Sequence, residues 1–212
     1  MLLIIDMDKK MTTTQTTLFP EIENFDIPTS ANRKLSVSII SYKESINAPL
    51  EKLWKIISAP KNLNFCHPYC KKNTVVKWCG KGSIDSIEYY NGLVLNRIFT
   101  KWDQGKGYEL LIGNGKYATA KVLWVITDMK DGSSNLSITI DAYTDIALKK
   151  YPKFLRVIIR ELYFLPNMSK YLQAVVKGFK FYTETGTPVK KNQFGHNSMF
   201  STHDKDSTYN EL

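Results

Sequence analysis

The most constraining feature of this sequence is a run of six short strand-like segments between residues 73 and 144. They are rich in β-branched and aromatic residues, and turn-forming clusters such as GKG, DQGKG and MKDGSS divide them. Asn91 followed by Gly92 is a strong signal for a tight hairpin, because both residues tolerate a positive φ. Short connections place consecutive strands side by side and antiparallel. With a further strand predicted at 35–46, we expect one seven-stranded antiparallel sheet.

The predicted strands have one apolar face and one polar face. In the last of them, Leu136, Ile138 and Ile140 alternate with Ser137 and Thr139. Side chains two residues apart lie on the same side of a strand, so the apolar ones form a continuous inner surface. A sheet with one apolar face requires a second layer to cover it.

A long amphipathic stretch at 149–183 can supply that second layer. Its apolar residues recur at three- and four-residue spacing, which places them on one face of a helix. The members of this face are Leu155, Ile158, Ile159, Leu162, Leu165, Leu172, Val175, Val176 and Phe179. Pro166 predicts a break or kink near the middle, because proline lacks a backbone N–H. Two short helices are predicted after the first strand, the first of them at 47–58.

Three regions differ in composition. Residues 1–34 are predicted to form a flexible N-terminal arm, and residues 35–186 a single domain. Residues 187–212 are predicted to form a polar C-terminal tail, in which Phe194 and Phe200 are the expected docking points.

The sequence predicts a cytoplasmic protein. No apolar run reaches the roughly 20 residues that cross a bilayer. The beginning of the sequence lacks the basic region and the cleavage site of a signal peptide. Met1 and Met11 are both candidate start residues.

Much of the formal net charge of +9 lies in the long amphipathic stretch, where residues 149–180 carry eight Lys or Arg against Glu161 alone. Basic surfaces favour nucleic acid, anionic membranes or acidic partners. Neither a nucleic-acid module nor a basic patch interleaved with aromatics is visible, so no nucleic-acid partner is predicted. An anionic membrane is the preferred partner, and the alternative is an ordinary solvated helix face. The residues that would face the membrane are Lys149, Lys153, Arg156 and Arg160.

Metal binding and catalysis have weak support in the sequence. Cys66, His67 and Cys70 carry zinc-binding groups, but a structural zinc site takes four ligands and there is no second cluster. We therefore predict no metal and no other cofactor. Residues conceivable as acids or bases are His67, Tyr90, Arg97 and Glu109, but no pair of them has a diagnostic spacing.

The order of one strand, two short helices, six meandering strands and a long C-terminal helix resembles the helix-grip fold of the SRPBCC superfamily. The likeness is carried by INAPLEKLWKIISAPKNL at 46–63, by the GKGS turn and its following strand at 80–90, and by LQAVVKGFKFYTETG at 172–186. This superfamily includes START lipid-transfer domains and the birch-pollen allergen, and the chain looks most like its bacterial polyketide cyclase/dehydrase members. Relatives often carry Gly-x-Gly-x-x-Arg at the turn, whereas here the arginine position is Asp85.

The resemblance implies an α+β fold in which a curved seven-stranded antiparallel sheet wraps around the C-terminal helix, with a hydrophobic cavity between them. It implies the transport or sequestration of a small hydrophobic ligand such as a lipid or a polyketide. The alternatives are a cyclase or dehydratase acting in the same cavity, and a protein-interaction module whose cavity is too small to use. The superfamily has no universal catalytic motif, so no catalytic residue is assigned.

Candidate cavity-lining residues follow from the predicted inner faces of the sheet and the helix. They are Trp78, Tyr90, Ile98, Tyr108, Leu110, Trp124, Ile138, Ile140, Leu172, Val175, Val176 and Phe179. The third and fourth strands have large side chains on both faces, so Tyr89 or Arg97 could take the place of Tyr90 or Ile98. We expect about half of the candidates to line a cavity.

Overall fold

The computed structural model describes residues 25–26 and 36–202. Most of the predicted N-terminal arm and the last ten residues of the predicted tail therefore lie outside the described residues. The domain boundaries at 34/35 and 186/187 stay predictions.

Seven strands form one antiparallel sheet, as the sequence predicts. The strands are β1 Val37–Ile46, β2 Cys70–Lys77, β3 Ile84–Tyr89, β4 Val94–Asp103, β5 Gly107–Asn114, β6 Tyr117–Asp128 and β7 Ser134–Tyr143. Their order in the sheet is β1-β7-β6-β5-β4-β3-β2, so every neighbouring pair except β1 and β7 is consecutive in sequence. Register shifts interrupt β2–β3, β4–β5 and β5–β6. Such bulges increase the local twist and bend of a sheet, which suits one that curves around a helix.

Two short helices follow the first strand and a long helix follows the sheet, as the sequence predicts, and one further short helix after the last strand was not predicted. They are α1 Leu50–Ile57, α2 Leu63–Cys66, α3 Thr144–Ala147, α4 Lys153–Ile159 and α5 Leu165–Thr185, and a π-helical turn, Arg160–Phe164, joins α4 to α5. We refer to the continuous 33-residue element as the C-terminal helix. The strand and helix order is that of the helix-grip fold.

The irregularity predicted at Pro166 takes the form of the π-helical turn that precedes it. Proline has no N–H to donate to the carbonyl of Leu162 four residues earlier, and its ring crowds that carbonyl. A π turn relieves the crowding by widening the helix by one residue. Asn167 Nδ2 then donates to the carbonyl of Tyr163 at 2.7 Å, which satisfies a second carbonyl of the disturbed turn.

The second half of α5 packs directly on the rest of the domain. Val176 and Phe179 are fully buried, and the edge of the Phe179 ring faces Trp124 of β6 with ring centroids 4.9 Å apart. Gly178 passes so close to α2 that a Cβ added there would lie 2.1 Å from the Cys66 carbonyl oxygen. This contact fixes the position of the helix over the sheet.

A second, smaller core lies on the other side of the sheet. Phe25 is buried there with Ile98, Leu111, Ala118 and Tyr143. The backbone N–H of Asp26 donates to the Lys116 carbonyl at 3.0 Å and holds this short piece of chain against the β5–β6 turn. The outer face of the sheet is therefore partly apolar, contrary to the simple two-face pattern.

None of the helices in the described ranges has the length and apolar character that crossing a bilayer requires.

Replacing Gly178 by alanine tests the close approach of α5 to α2. Alanine favours a helix over glycine by about 1 kcal/mol, but the added methyl group would overlap the Cys66 carbonyl. We expect Gly178→Ala to lower the free energy of unfolding by about 1–3 kcal/mol, as overpacking does. Urea denaturation measures this, and Lys177→Ala at an exposed neighbouring position is the matched control, expected within about 0.5 kcal/mol of wild type. A Gly178→Ala variant as stable as wild type would contradict the packing described here.

Candidate ligand-binding cavity

A cavity of about 980 Å³ lies between the inner face of the sheet and the C-terminal helix. Its volume is at the upper end of the roughly 300–1,000 Å³ typical of small-molecule sites. The wall is mainly apolar. Its apolar members include Leu63, Ile87, Leu93, Leu95, Leu110, Ile112, Ala120, Val122, Trp124, Ile138, Ile140, Ala142, Ile159, Phe164, Met168, Leu172, Val175, Met199 and Phe200.

The cavity exists because the C-terminal helix touches the sheet closely only in its second half. The helix residues that line the cavity run from Ile159 to Val175. Beyond Val175 the helix seats on the domain through Val176 and Phe179, which are fully buried. The first part of the helix therefore covers a space that the side chains of the described residues do not fill.

The cavity opens along a rim of exposed residues. Lys116 lies in the β5–β6 turn, Lys149 and Lys150 precede α4, and Asn91 and Ser198 lie on two further segments of the rim. Lys116 pairs with Asp26 at 3.2 Å, so the positive charge at the mouth of the cavity comes mainly from Lys149 and Lys150.

A chain of polar groups interrupts the apolar wall. The backbone N–H of Tyr69 donates to His67 Nδ1 at 3.1 Å, so in the neutral imidazole the proton is on Nε2. His67 Nε2 donates to Tyr171 Oη at 3.1 Å, and Tyr171 Oη lies 3.0 Å from Tyr89 Oη. These three side chains supply three hydrogens to two hydrogen bonds. One tyrosine O–H hydrogen therefore remains available to an acceptor in the cavity.

Arg97 adds a positive charge beside this chain. Its Nε donates to Asp85 Oδ1 at 2.7 Å and its Nη2 to Asp85 Oδ2 at 2.5 Å, while Asn73 Nδ2 also donates to Asp85 Oδ2 at 3.0 Å. Both charged residues are buried, and Arg97 is also part of the cavity wall. Within residues 25–26 and 36–202 no hydrogen bond engages Arg97 Nη1, so the guanidinium retains donors for a ligand.

The polar groups of the wall keep fixed protonation states at neutral pH. Burial, together with the nearby charge of Arg97, lowers the pKa of His67 to about 3. Burial raises the pKa of Tyr171 to about 12 and that of Tyr89 well above its usual value. For Arg97, burial works against the charged form, but the Asp85 carboxylate outweighs it and raises the pKa. Around His67 the wall therefore presents hydrogen-bond donors and the Arg97 guanidinium paired with Asp85, and His67 itself is a weak base.

Half of the predicted lining residues lie in the cavity wall. They are Leu110, Trp124, Ile138, Ile140, Leu172 and Val175. On β3 and β4 the wall contains the alternatives Tyr89 and Arg97 in place of Tyr90 and Ile98. The ligand contacts of all these residues stay a prediction.

The other predicted lining residues lie elsewhere, for several physical reasons. Ile98 lies on the outer face of the sheet, where it is buried together with Phe25, and Tyr90 follows the end of β3 and packs under the ammonium group of Lys191. Val176 and Phe179 lie where the helix is seated directly on the domain.

Trp78 and Tyr108 belong to an aromatic cluster near α1, in which Tyr108 stacks on the back of the cavity-lining Trp124 with ring centroids 5.3 Å apart. Trp78 Nε1 donates to the Ser58 carbonyl at 3.2 Å, and Tyr108 Oη donates to the Ile57 carbonyl at 3.3 Å. These contacts hold both rings beside the C-terminal end of α1, so neither ring is part of the cavity wall.

Several lining residues were not predicted from the sequence. Tyr171 was missed although it lies four residues before Val175, a spacing that places both on one helix face. Phe200 was expected only as a docking point of a polar tail. It is buried, with its ring 4.3 Å from that of Tyr171 and 4.6 Å from that of Tyr89.

The described part of the C-terminal segment, 187–202, lies against the domain. The backbone N–H of Val189 donates to the Phe65 carbonyl at 2.9 Å, and Asn197 Nδ2 donates to the Asn167 carbonyl at 2.8 Å. Phe194 packs near Phe181. The segment closes one end of the cavity with Ser198, Met199 and Phe200.

The first part of the C-terminal helix does not present its predicted apolar face to the sheet. Ile158 and Leu162 are 55% and 77% exposed, whereas Ile159 and Phe164 line the cavity. The π-helical turn changes the number of residues per turn, so a regular 3.6-residue pattern loses register there.

The four basic residues predicted to face a membrane have two different environments. Lys149 and Lys153 are exposed. Arg156 Nε donates to the Tyr151 carbonyl at 2.9 Å, and Arg160 pairs with Glu161 at 2.8 Å. The two lysines are therefore exposed, whereas both arginines are held by neighbouring groups.

Of the conceivable acids and bases, His67 and Arg97 line the cavity, and Glu109 is not in its wall. Glu109 instead pairs with Lys101 at 3.3 Å and accepts a hydrogen bond from Thr100. Burial raises the pKa of the Cys66 thiol and raises that of Cys70 to about 12. No cluster of three or more metal-ligating side chains occurs in the part of the chain that the structure describes.

Comparison with known proteins defines the fold. No protein-family model matches the sequence, and no curated protein matches it either. Similar solved structures include a START superfamily protein from Mycobacterium smegmatis, at 12% identity and a TM-score of 0.53 over 70% of this chain and 99% of that one. TTHA0849 from Thermus thermophilus aligns at 13% identity and a TM-score of 0.55 over 69% of this chain and 97% of that one.

A third similar structure is DynU16, a protein of the dynemicin biosynthetic locus. It aligns at 12% identity and a TM-score of 0.53 over 73% of this chain. This chain spans about half of DynU16, since 51% of that chain is covered. Together the comparisons show that the chain has the helix-grip fold.

The buried state of His67 predicts a specific dependence of stability on pH. In the unfolded chain His67 binds a proton with its ordinary pKa of 6.5, whereas in the folded protein the pKa of His67 is about 3. Stability is therefore lost as the pH falls below 6.5, by about 1.4 kcal/mol per pH unit from this residue. We expect His67→Gln to have a correspondingly shallower loss of stability between pH 6 and pH 4.5, measured by urea denaturation. His196→Gln, at an exposed position, is the control. Equal slopes for wild type and His67→Gln would show that His67 is not held neutral.

Proposed function

We propose that the protein binds one small hydrophobic molecule, such as a lipid or a polyketide, and that it serves to transport or sequester it. The observation that carries the proposal is the cavity of about 980 Å³, whose wall is mainly apolar, with a connected set of hydrogen-bond donors inside and further polar residues at its rim. Binding sites for small molecules combine these two properties, because the apolar wall gives affinity and a few polar groups orient the ligand.

The polar part of the wall favours a ligand with an oxygen acceptor. The unused O–H of the Tyr89–Tyr171 pair and the remaining N–H groups of Arg97 are donors, and among the described residues no carboxylate lines the cavity. A carbonyl, a hydroxyl or a carboxylate oxygen on an otherwise apolar molecule would complement them. Lipids and polyketides both have this composition.

The alternative is an enzyme of the cyclase or dehydratase type acting in the same cavity. The chain of His67, Tyr171 and Tyr89 is the observation that favours it, because acid–base chemistry requires such groups beside the ligand. Their pKa values oppose it, since a general base works best with a pKa near the ambient pH and that of His67 is lowered to about 3. Binding is therefore the preferred function. The volume of the cavity also disfavours a pure protein-interaction module.

A carrier of a lipid must reach a membrane to load and unload its ligand. The lysines at the rim of the cavity are suited to an anionic membrane as the site of that exchange.

A single side chain placed inside the cavity tests the proposal. Ala120 lines the cavity on β6, and Leu123 is 40% exposed on the outer face of the same strand. We expect Ala120→Phe to weaken the binding of the fluorescent fatty acid cis-parinaric acid at least tenfold, because the ring takes the volume that the probe would occupy. Leu123→Phe is the matched control and should bind the probe like wild type.

The stability of the Ala120→Phe variant separates a usable cavity from a filled core. In a cavity the phenyl ring has space, so the free energy of unfolding should stay within about 1 kcal/mol of wild type. In a filled core overpacking would cost about 1–3 kcal/mol. Wild-type protein that does not bind the probe, together with a destabilised Ala120→Phe variant, would contradict the proposal. Turnover of an added polyketide by wild type would favour the enzyme instead.

A further inference from the structure

The outward face of α4 and the π-helical turn carries a continuous stripe of apolar side chains. Phe154, Val157, Ile158 and Leu162 are 77%, 56%, 55% and 77% exposed. Their spacing of three and four residues places them in one row on the helix surface. Glu161 is the single charged residue in this row, and it pairs with Arg160.

The described residues of the domain leave this stripe uncovered. A surface helix normally turns its apolar stripe toward the core, whereas α4 contains no buried residue. Exposed apolar side chains scattered singly are ordinary on proteins, but a contiguous row of four large ones marks an interaction surface.

The charges beside the stripe identify the partner. Residues 149–163 contain five Lys or Arg and the single acid Glu161, which gives a net charge of +4. The paired Arg160 neutralises that acid, and Lys149, Lys150 and Lys153 are exposed. An apolar row flanked by basic side chains is the pattern of helices that lie in the surface of an anionic membrane.

We infer that this surface docks on an anionic lipid bilayer, with Phe154, Val157, Ile158 and Leu162 inserted at the boundary of head groups and acyl chains. The three exposed lysines then meet the lipid phosphates. A second copy of the chain is a poorer partner, because a two-fold symmetric contact would bring two faces of charge +4 together. The membrane-facing surface of the protein, which the sequence predicts from basic residues alone, thus also contains apolar side chains.

The position of the surface relates docking to the cavity. Lys149, Lys150 and Tyr151 line the cavity and immediately precede α4. A bilayer that accommodates the stripe would therefore lie next to the mouth of the cavity. The inference extends the exchange step of the proposed function, but docking can be measured with no ligand present, so each can fail without the other.

Flotation of the full chain with lipid vesicles tests the inference. The vesicles contain either pure phosphatidylcholine or phosphatidylcholine with phosphatidylserine, and neither a cavity ligand nor a second protein is added. We expect wild type to float with the anionic vesicles and to bind them at least tenfold more tightly than the neutral ones, with binding that weakens as salt is raised. The double variant Phe154→Ser/Leu162→Ser should lose at least tenfold in binding to the anionic vesicles.

Two further variants separate the components of the surface. Lys149→Glu/Lys153→Glu should also lose at least tenfold in binding. Ile39→Ser is the matched control, because Ile39 is an apolar residue of β1, outside the stripe, and is 71% exposed. It should bind like wild type. All substituted positions are exposed, and unchanged thermal unfolding verifies that each variant is folded.

Three results would overturn the inference. Wild type that does not bind anionic vesicles removes the membrane as the partner. Loss of binding in the lysine variant but not in the Phe154→Ser/Leu162→Ser variant shows adsorption by charge without insertion. A wild-type dimer in solution that the serine variant converts to a monomer assigns the stripe to self-association instead.

Discussion

The contact between α5 and α2 determines the form of the whole domain. Because residue 178 is glycine, the helix backbone approaches the Cys66 carbonyl more closely than any side chain would permit. This close contact packs the second half of the helix directly on the domain. The π-helical turn at Arg160–Phe164 interrupts the regular helix before it. One end of the helix is thus packed as a core, and the other end stands away from the curved sheet. The cavity is the space between them.

The polar groups in the cavity wall are costly to bury and are correspondingly well connected. A buried arginine requires a partner, and Asp85 lies directly opposite Arg97 in the β3–β4 register. Asn73 holds the same carboxylate from β2. Such an arrangement stabilises the fold little compared with apolar packing of the same volume. It does place unused hydrogen-bond donors of a paired guanidinium in an apolar space, and such donors can orient a ligand.

Periodicity predicted the sheet, its antiparallel order and the long helix, because each depends on local pattern and short connections. Which residues of a strand or helix line the cavity depends on contacts with distant parts of the chain. Ile98 lies on the outer face of the sheet, where it is buried together with Phe25, and nothing in β4 itself records that contact. Ile158 and Leu162 are displaced by a π turn that a regular helical pattern does not contain. Phe200 reaches the cavity only through the path of the segment after α5.

Native mass spectrometry of the full chain, purified without denaturation and followed by organic extraction, measures the central claim most directly. The account predicts a complex with one small hydrophobic molecule per chain, either as purified or after incubation with a mixture of lipids and polyketides. The extracted molecule should contain at least one oxygen acceptor, in keeping with the donors in the wall. The mass of the bare chain alone, both as purified and after incubation with the mixture, would contradict the account.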